Sequence, residues 1–308
     1  MSVRGKALLI GGATASGKSA LAVALARRLD GVVVNADSVQ LYRDLPLLTA
    51  RPDADELRMA PHRLYGFLPP DAPVSAAVWL DLVLPAMRAV WDEGRLPILT
   101  GGSGLYLHAL LHGLAPVPPI PDNLRAAVRA LPHGELLERL GAEDPRMAAR
   151  LRPNDRQRLM RALEVVRATG RSLADWQDLP RHPPLPGLRA AGLVLLPDRA
   201  LLRRRIQARM AGMVAAGAIG EVRDLRRRVG DPLGLPIAKV HGLPELLAVL
   251  DGRLDESSAI EAASLKVGQY AKRQSTWFRR QLPGLAVLQA LGAAPEALAA
   301  GLGLARAL

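Results

Sequence analysis

The chain opens with a short apolar run, and its pattern then switches period. Residues 6–10 read as a strand buried on both faces. A glycine-rich turn follows at 11–19, and over 17–29 Leu21, Leu25 and Leu29 recur at helical spacing. Val32, Val33 and Val34 make a second strand, which runs into Asn35, Ala36, Asp37 and Ser38. Residues 76–93 are helical and stop at Gly94 and Arg95. Residues 96–100 form a third strand that runs into Gly101, Gly102, Ser103 and Gly104, and 103–112 the helix after it. Strands alternating with helices in this order predict an α/β fold built on a parallel sheet flanked by helices.

The pattern changes at the proline cluster 116–121. From 122 to 176 it is helical and rich in arginine, up to a second proline cluster at 180–186. Residues 193–196 return to strand character. Residues 199–228 read as helical and basic, 257–280 as a last long helix and 285–288 as a final strand. The expected organisation is a core made of residues 1–115 and 187–308, interrupted by a helical subdomain at 116–186.

Composition narrows the class. Apolar residues are 49% of 308, enough for a sizeable core. The absence of cysteine excludes disulfides and thiolate metal sites. The first apolar run is too short for a secretion signal, and no segment nears the ~20 apolar residues that span a bilayer. The expectation is a cytoplasmic monomer with no membrane association. Net charge is +12, mostly from arginine. A polyanionic partner and an arginine-favouring GC-rich genome both produce that excess, so the placement of the charge matters more than its sum.

The sharpest local signal is Gly12-Ala13-Thr14-Ala15-Ser16-Gly17-Lys18-Ser19, which fits G-x-x-x-x-G-K-[ST] between a predicted strand and a predicted helix. This makes the core P-loop NTPase-like. In such a turn, backbone N–H groups and the positive end of the helix face phosphate oxygens. Lys18 neutralises the outer phosphate and the Ser19 hydroxyl is a ligand for Mg²⁺. The motif specifies a diphosphate or triphosphate, and not ATP in particular. The third strand ends Leu99-Thr100-Gly101, without the Asp that organises metal and water in ATPases. The well-placed acid is Asp37, at the carboxyl end of the second strand, where a carboxylate orients an acceptor group. A small-molecule or nucleotide kinase using ATP fits these residues too.

Several further blocks occur in a set order: Asn35 to Tyr42, Thr49-Ala50-Arg51-Pro52, Ala60-Pro61-His62-Arg63-Leu64, Gly101 to Tyr106, Pro153 to Val165, and Tyr270 to Arg279. Together with the P-loop they resemble the bacterial tRNA dimethylallyltransferases (tRNA isopentenyltransferases) over almost the whole chain. The Asn-Asp-x-Gln-Arg and Ala-Lys-Arg-Gln-x-Thr-Trp blocks carry most of that specificity. The resemblance implies transfer of a dimethylallyl group from dimethylallyl diphosphate to N6 of the adenine 3′ of the anticodon, in tRNAs reading UNN codons. It also implies an inserted helical domain that holds the anticodon arm. Leu48, Arg51, Ser103 and the Leu243-Pro244 pair depart from the family's usual residues.

On this resemblance Asp37 takes the N6 proton, Thr14 and Ser16 bond the diphosphate, and Arg209 contacts it. Asp37, Ser38, Val39, Gln40, Ser103 and Arg125 match positions that touch tRNA. Gln157, Arg158, Leu159, Met160 and Arg161, with Lys272 and Arg273, are the further tRNA-binding set. Basic runs at 203–205, 226–228 and 279–280 are candidates for phosphate pairing. Tyr270, Trp277 and Phe278 are expected in the core, and His62, His108, His112 and His241 are expected to be structural. A prenyltransferase acting on free nucleotides would leave the basic insertion without a purpose. An RNA-binding module without catalysis would leave Lys18, Ser19 and Asp37 without one.

Overall fold

The structure is a computed structural model that describes residues 3–308. Its described residues divide into two compact units, one of residues 3–111 and 185–308 and one of residues 112–184. The first contains β1 (Lys6–Gly12), α1 (Lys18–Leu29), β2 (Gly31–Asn35), α2 (Ala54–Met59), β3 (His62–Arg63), α3 (Ala76–Asp92), β4 (Leu96–Gly101) and most of α4 (Gly104–His112). The second contains α5 (Asp122–Ala130), α6 (His133–Glu143), α7 (Pro145–Arg150), α8 (Arg156–Thr169) and α9 (Leu173–Asp178). The chain then returns to the first unit with β5 (Arg189–Leu195), α10 (Arg199–Ala215), α11 (Ala218–Val229), α12 (Leu243–Leu250), α13 (Glu256–Gln281), β6 (Ala286–Leu288) and α14 (Pro295–Ala307).

The sheet has six strands in the order β3-β2-β4-β1-β5-β6, and all the pairings are parallel. Each parallel neighbour requires a crossover, which is why helices cover both faces. Every residue of β2 and β4 is buried, as their unbroken apolar runs require. Leu8, Ile10, Leu21, Leu25, Val33, Ile98 and Leu193 form the core between the sheet and α1. The expected P-loop NTPase-like α/β fold is the one observed.

The structure adds detail and elements beyond the pattern-based expectation. The helical, basic stretch 199–228 resolves into two helices, because Gly217 takes a left-handed φ of 106° between them. The helix α13 is not the last, since α14 follows it. The α14 side chains Leu298, Leu302 and Leu304 pack on the α1 core. The segment leading to α14 lies against the P-loop itself, where the Gly292 N–H donates to the Ser16 carbonyl at 2.9 Å. A Cβ at Gly292 would stand 2.1 Å from the Gly17 oxygen, so only glycine lets the two backbones meet there. The short helices α2 and α12 carried too few periodic positions to be read.

The second unit has its own core of Val128, Leu136, Leu140, Leu159, Leu163 and neighbours. Asp155 caps α8 by accepting the Arg158 N–H, and Arg156 donates to the carbonyls of Arg129 and Leu131. Inside this core's rim, Glu164 is nearly buried, with Arg129 at 3.8 Å and Arg161 at 3.9 Å. Burial pushes its carboxyl above the ordinary range, and the arginines oppose the shift.

Candidate active site

The site forms at the carboxyl ends of β1, β2 and β4. The turn after β1 enters α1 through Gly17, which is left-handed at φ 87° and gives α1 no side-chain cap. The first N–H groups of α1 therefore have no intrahelical acceptor and no cap, the local arrangement that binds an anion. A cavity of about 360 Å³ opens in front of them. Thr14, Ala15, Lys18 and Ser19 line it from the P-loop side, and Asp37, Ser38, Val39 and Gln40 from the β2 side. Arg209 from α10 and Arg273 from α13 complete the polar wall, with Lys239 and His241. Leu48, Ile206, Met210, Met213 and Val267 make an apolar wall.

Asp37 is held by its neighbours rather than by chance. Asn35 is fully buried and satisfied through this turn: its Oδ1 accepts the Asp37 N–H at 2.7 Å, and its Nδ2 donates to the Asp37 and Leu64 carbonyls. Trp79 of α3 donates to the Asn35 carbonyl at 2.9 Å and stacks on Tyr106. The Val39 N–H donates to Asp37 Oδ1. The glycine turn after β4 grips the same segment. Ser103 donates its N–H to the Ala36 carbonyl and accepts the Ser38 N–H on its hydroxyl at 3.0 Å. A Cβ at Gly101 would stand 1.9 Å from the Ala36 oxygen, so the two turns touch backbone to backbone.

The electrostatics centre on the same acid. Burial pushes the Lys18 ammonium down to about 8; Asp37 pulls it back up and Arg209 adds to the fall. Burial likewise lowers Lys239, with Asp37 opposing. His241 is lowered first by burial and then by Arg273, and its ring packs 4.6 Å from that of Tyr270. One carboxylate thus faces several cations, leaving positive charge for a bound anion.

The structure sorts the sequence-derived residues. Thr14, Ala15, Lys18, Ser19, Asp37, Ser38, Val39, Gln40, Arg209 and Arg273 share the cavity. Gly12, Ala13 and Gly17 shape the turn behind it. The Ser16 hydroxyl is fully buried behind the cavity wall and has no hydrogen-bond partner there. Gln40 spends its Nε2 on the carbonyls of Thr49 and Ala50. Lys272 is exposed and stands outside the cavity wall. Arg125, Gln157, Arg158, Met160 and Arg161 lie on the second unit; Leu159 among them is 1% exposed and serves its core, so its side chain is not an RNA contact. The run 226–228 is tied up in ion pairs with Asp251, Asp224 and buried Asp44. Arg205 braces the P-loop by donating to the Ala15 carbonyl at 3.0 Å.

Of the aromatic trio, Phe278 is buried against Gly11 and Trp277 packs on Gly104, but Tyr270 lines the cavity. His241 joins it there, against the expectation of a structural role, because the turn before α12 folds back over the site. Gln274 also escaped the sequence reading. Its only signal was its place in the Lys-Arg-Gln block.

The sequence pattern that defines the IPP transferases matches residues 40–281, most of the chain, and that of the isopentenyl transferases matches residues 5–71. The chain belongs to the IPP transferase family. Within this family it is 50% identical to the tRNA dimethylallyltransferase of Methylobacterium sp. (strain 4-46), over 90% of this chain and 92% of that one. It is 52% identical to the tRNA dimethylallyltransferase of Rhodospirillum centenum, over 89% and 88%. Among solved structures, the tRNA isopentenylpyrophosphate transferase of Bacillus halodurans superposes with a TM-score of 0.65 at 32% identity, over 92% and 90%. A eukaryotic dimethylallyltransferase described as acting on tRNA shares the fold, with a TM-score of 0.77 at 24% identity, over 92% of this chain and 73% of that one.

Proposed function

We propose that the chain transfers the dimethylallyl group of dimethylallyl diphosphate to N6 of the adenine 3′ of the anticodon, in tRNAs reading UNN codons. The observation that carries this reading is the shared cavity. The uncapped start of α1 and Lys18 face the same space as Asp37, and an apolar wall stands beside them. A diphosphate with a short hydrocarbon tail matches that division of polar and apolar lining. The relatives' names support the same chemistry.

An exocyclic adenine amine is a weak nucleophile because its lone pair is delocalised into the ring. The donor must therefore be made electrophilic and the amine aimed. The allylic C–O bond breaks with its electron pair going to diphosphate, whose charge the α1 N–H groups, Lys18 and Arg209 stabilise. The N6 lone pair forms the new C–N bond, and the Asp37 carboxylate accepts the N6 proton. Met210, Met213 and Val267 keep water from the allylic carbon. Flipping the base into the site costs a few kcal/mol, less from a splayed anticodon loop than from a duplex.

The lining suits Mg²⁺. The Ser19 hydroxyl is a hard oxygen donor on the first turn of α1, and Mg²⁺ is commonly held by one or two protein oxygens together with phosphate oxygens and water. No cluster of three acidic or histidine ligands exists among the described residues, so the substrate would supply most of the coordination. Bound there, the ion would neutralise charge on the departing diphosphate. The proposal includes a monomer in the cytoplasm, with the basic face of the second unit, Arg125, Gln157, Arg158 and Arg161, on the anticodon arm.

The test incubates the purified chain with labelled dimethylallyl diphosphate, Mg²⁺ and unmodified tRNA bearing a UNN-reading anticodon. Label is expected in the RNA. Asp37→Asn is expected to lower kcat by ~10²–10⁴-fold while diphosphate still binds. Full transfer by Asp37→Asn would remove Asp37 as the base. ATP turnover with no labelled RNA would replace the reading with that of a kinase.

A further inference from the structure

Gln274 stands out because it is polar, 5% exposed and bonded at both ends of its amide. It projects from α13 between two loops that are far apart in sequence. Its Oε1 accepts the Thr14 N–H of the P-loop at 2.9 Å. Its Nε2 donates to the Gly102 carbonyl of the turn after β4 at 2.9 Å. The fit is close on the second side, where a Cβ added to Gly102 would lie 2.2 Å from Nε2 and 3.2 Å from Asp37 Oδ2. Tyr270, one turn earlier on the same helix, lines the cavity.

Each end of this bridge leads to a different half of the reaction. Thr14 belongs to the turn that faces the diphosphate. Its N–H is spent on Gln274, which fixes the peptide plane and leaves the donors further along the loop for the anion. Gly102 precedes Ser103, which bonds both Ala36 and Ser38, the residues on either side of Asp37. We infer that Gln274 is a positioning residue that sets the separation between the leaving-group site and the Asp37 carboxylate, through one acceptor bond and one donor bond. The inference rests on the prenyl-transfer reading for its effect on rate, and on geometry alone for the bridge.

Only an amide satisfies both partners with fixed roles. A carboxylate at this position keeps the acceptor for Thr14 but presents a second oxygen to the Gly102 carbonyl, so that end is repelled. An apolar side chain of similar size leaves both backbone groups buried without a partner. Because a displacement of ~1 Å between reacting groups costs up to ~10²-fold in rate, the carboxylate variant separates the two ends.

The experiment measures steady-state transfer to tRNA and amide hydrogen exchange on the full chain. Gln274→Glu is expected to lower kcat ~10–100-fold while the KM for dimethylallyl diphosphate stays within ~3-fold, since the P-loop end is kept. Gln274→Leu, folded by circular dichroism, is expected to speed exchange of the Thr14 and Ser103 amides at least ~10-fold in the ligand-free protein. A Gln274→Glu enzyme with kcat within twofold of the parent, or with a KM rise as large as its loss of kcat, would overturn the inference. Unchanged exchange at both amides in Gln274→Leu would do the same. If the parent transfers no label, the prenyl-transfer reading fails, while the exchange data still report on the bridge.

Discussion

The P-loop lysine is a charge that the folded chain holds at a cost, and this can be measured without substrate. The Lys18 ammonium falls from its ordinary 10.5 to about 8, chiefly through burial. A fall of that size corresponds to ~3 kcal/mol. Solvent reaches part of the side chain, so ~2–3 kcal/mol is the working figure. The sign follows from proton counting. Between pH ~8 and ~10.5 the unfolded chain binds more protons at this group than the native chain, so stability rises with pH across that window. Below pH ~8 both states carry the charge and the full cost applies. Lys18→Met removes the charge. At pH 7 it is expected to stabilise the ligand-free protein by ~2–3 kcal/mol, raising Tm by ~3–5 °C for a chain of 308 residues. The gain should fall to less than half by about pH 9.5 and vanish above ~10.5. Differential scanning calorimetry at those pH values is the assay, with pyrophosphate binding measured alongside. Diphosphate affinity must collapse in the same variant, because Asp37 offsets the burial of the charge only in part and the rest is left for the anion. A Lys18→Met protein that melts at or below the parent at pH 7, with a gap independent of pH, would refute the reasoning.

Other expectations follow from the same geometry. Gly292→Ala forces a methyl group toward the Gly17 carbonyl and should push the P-loop out of place; a loss of ~1–3 kcal/mol in thermal unfolding and a rise of ~10-fold in KM for dimethylallyl diphosphate are expected. Unaltered kinetics would show that the C-terminal segment does not support the loop. Arg158 is exposed on the second unit, so Arg158→Ala should weaken tRNA binding and lower the slope of log affinity against log salt by ~1. Arg228→Ala should leave that slope unchanged but cost ~1–3 kcal/mol of stability, because it strands the buried carboxylate of Asp44; a changed slope would return the 226–228 run to the RNA-binding surface.

What the sequence determined by itself was set by local chemistry. The P-loop was legible because glycine spacing, lysine and hydroxyl occur together within eight residues of a strand end. The parallel sheet was legible because strands buried on both faces must be apolar without alternation. Asp37 was legible because an acid at the carboxyl end of such a strand has few structural uses. The helical insertion showed itself through proline punctuation and a change of period. Tertiary structure decided whatever depends on which distant segments meet. No spacing shows that Gln274 joins Thr14 to Gly102, that Gly292 backs Ser16, or that His241 and Tyr270 close the cavity, since each contact spans tens to hundreds of residues. The arginines make the same point. Arg158 and Arg228 both stood as candidates for RNA contact and both have an acid beside them, but Asp155 beside Arg158 is partly exposed whereas Asp44 beside Arg228 is buried, which makes the second a structural ion pair. Pattern fixes the elements because their periodicity is local, whereas the roles of single polar side chains wait on the partners that folding brings to them.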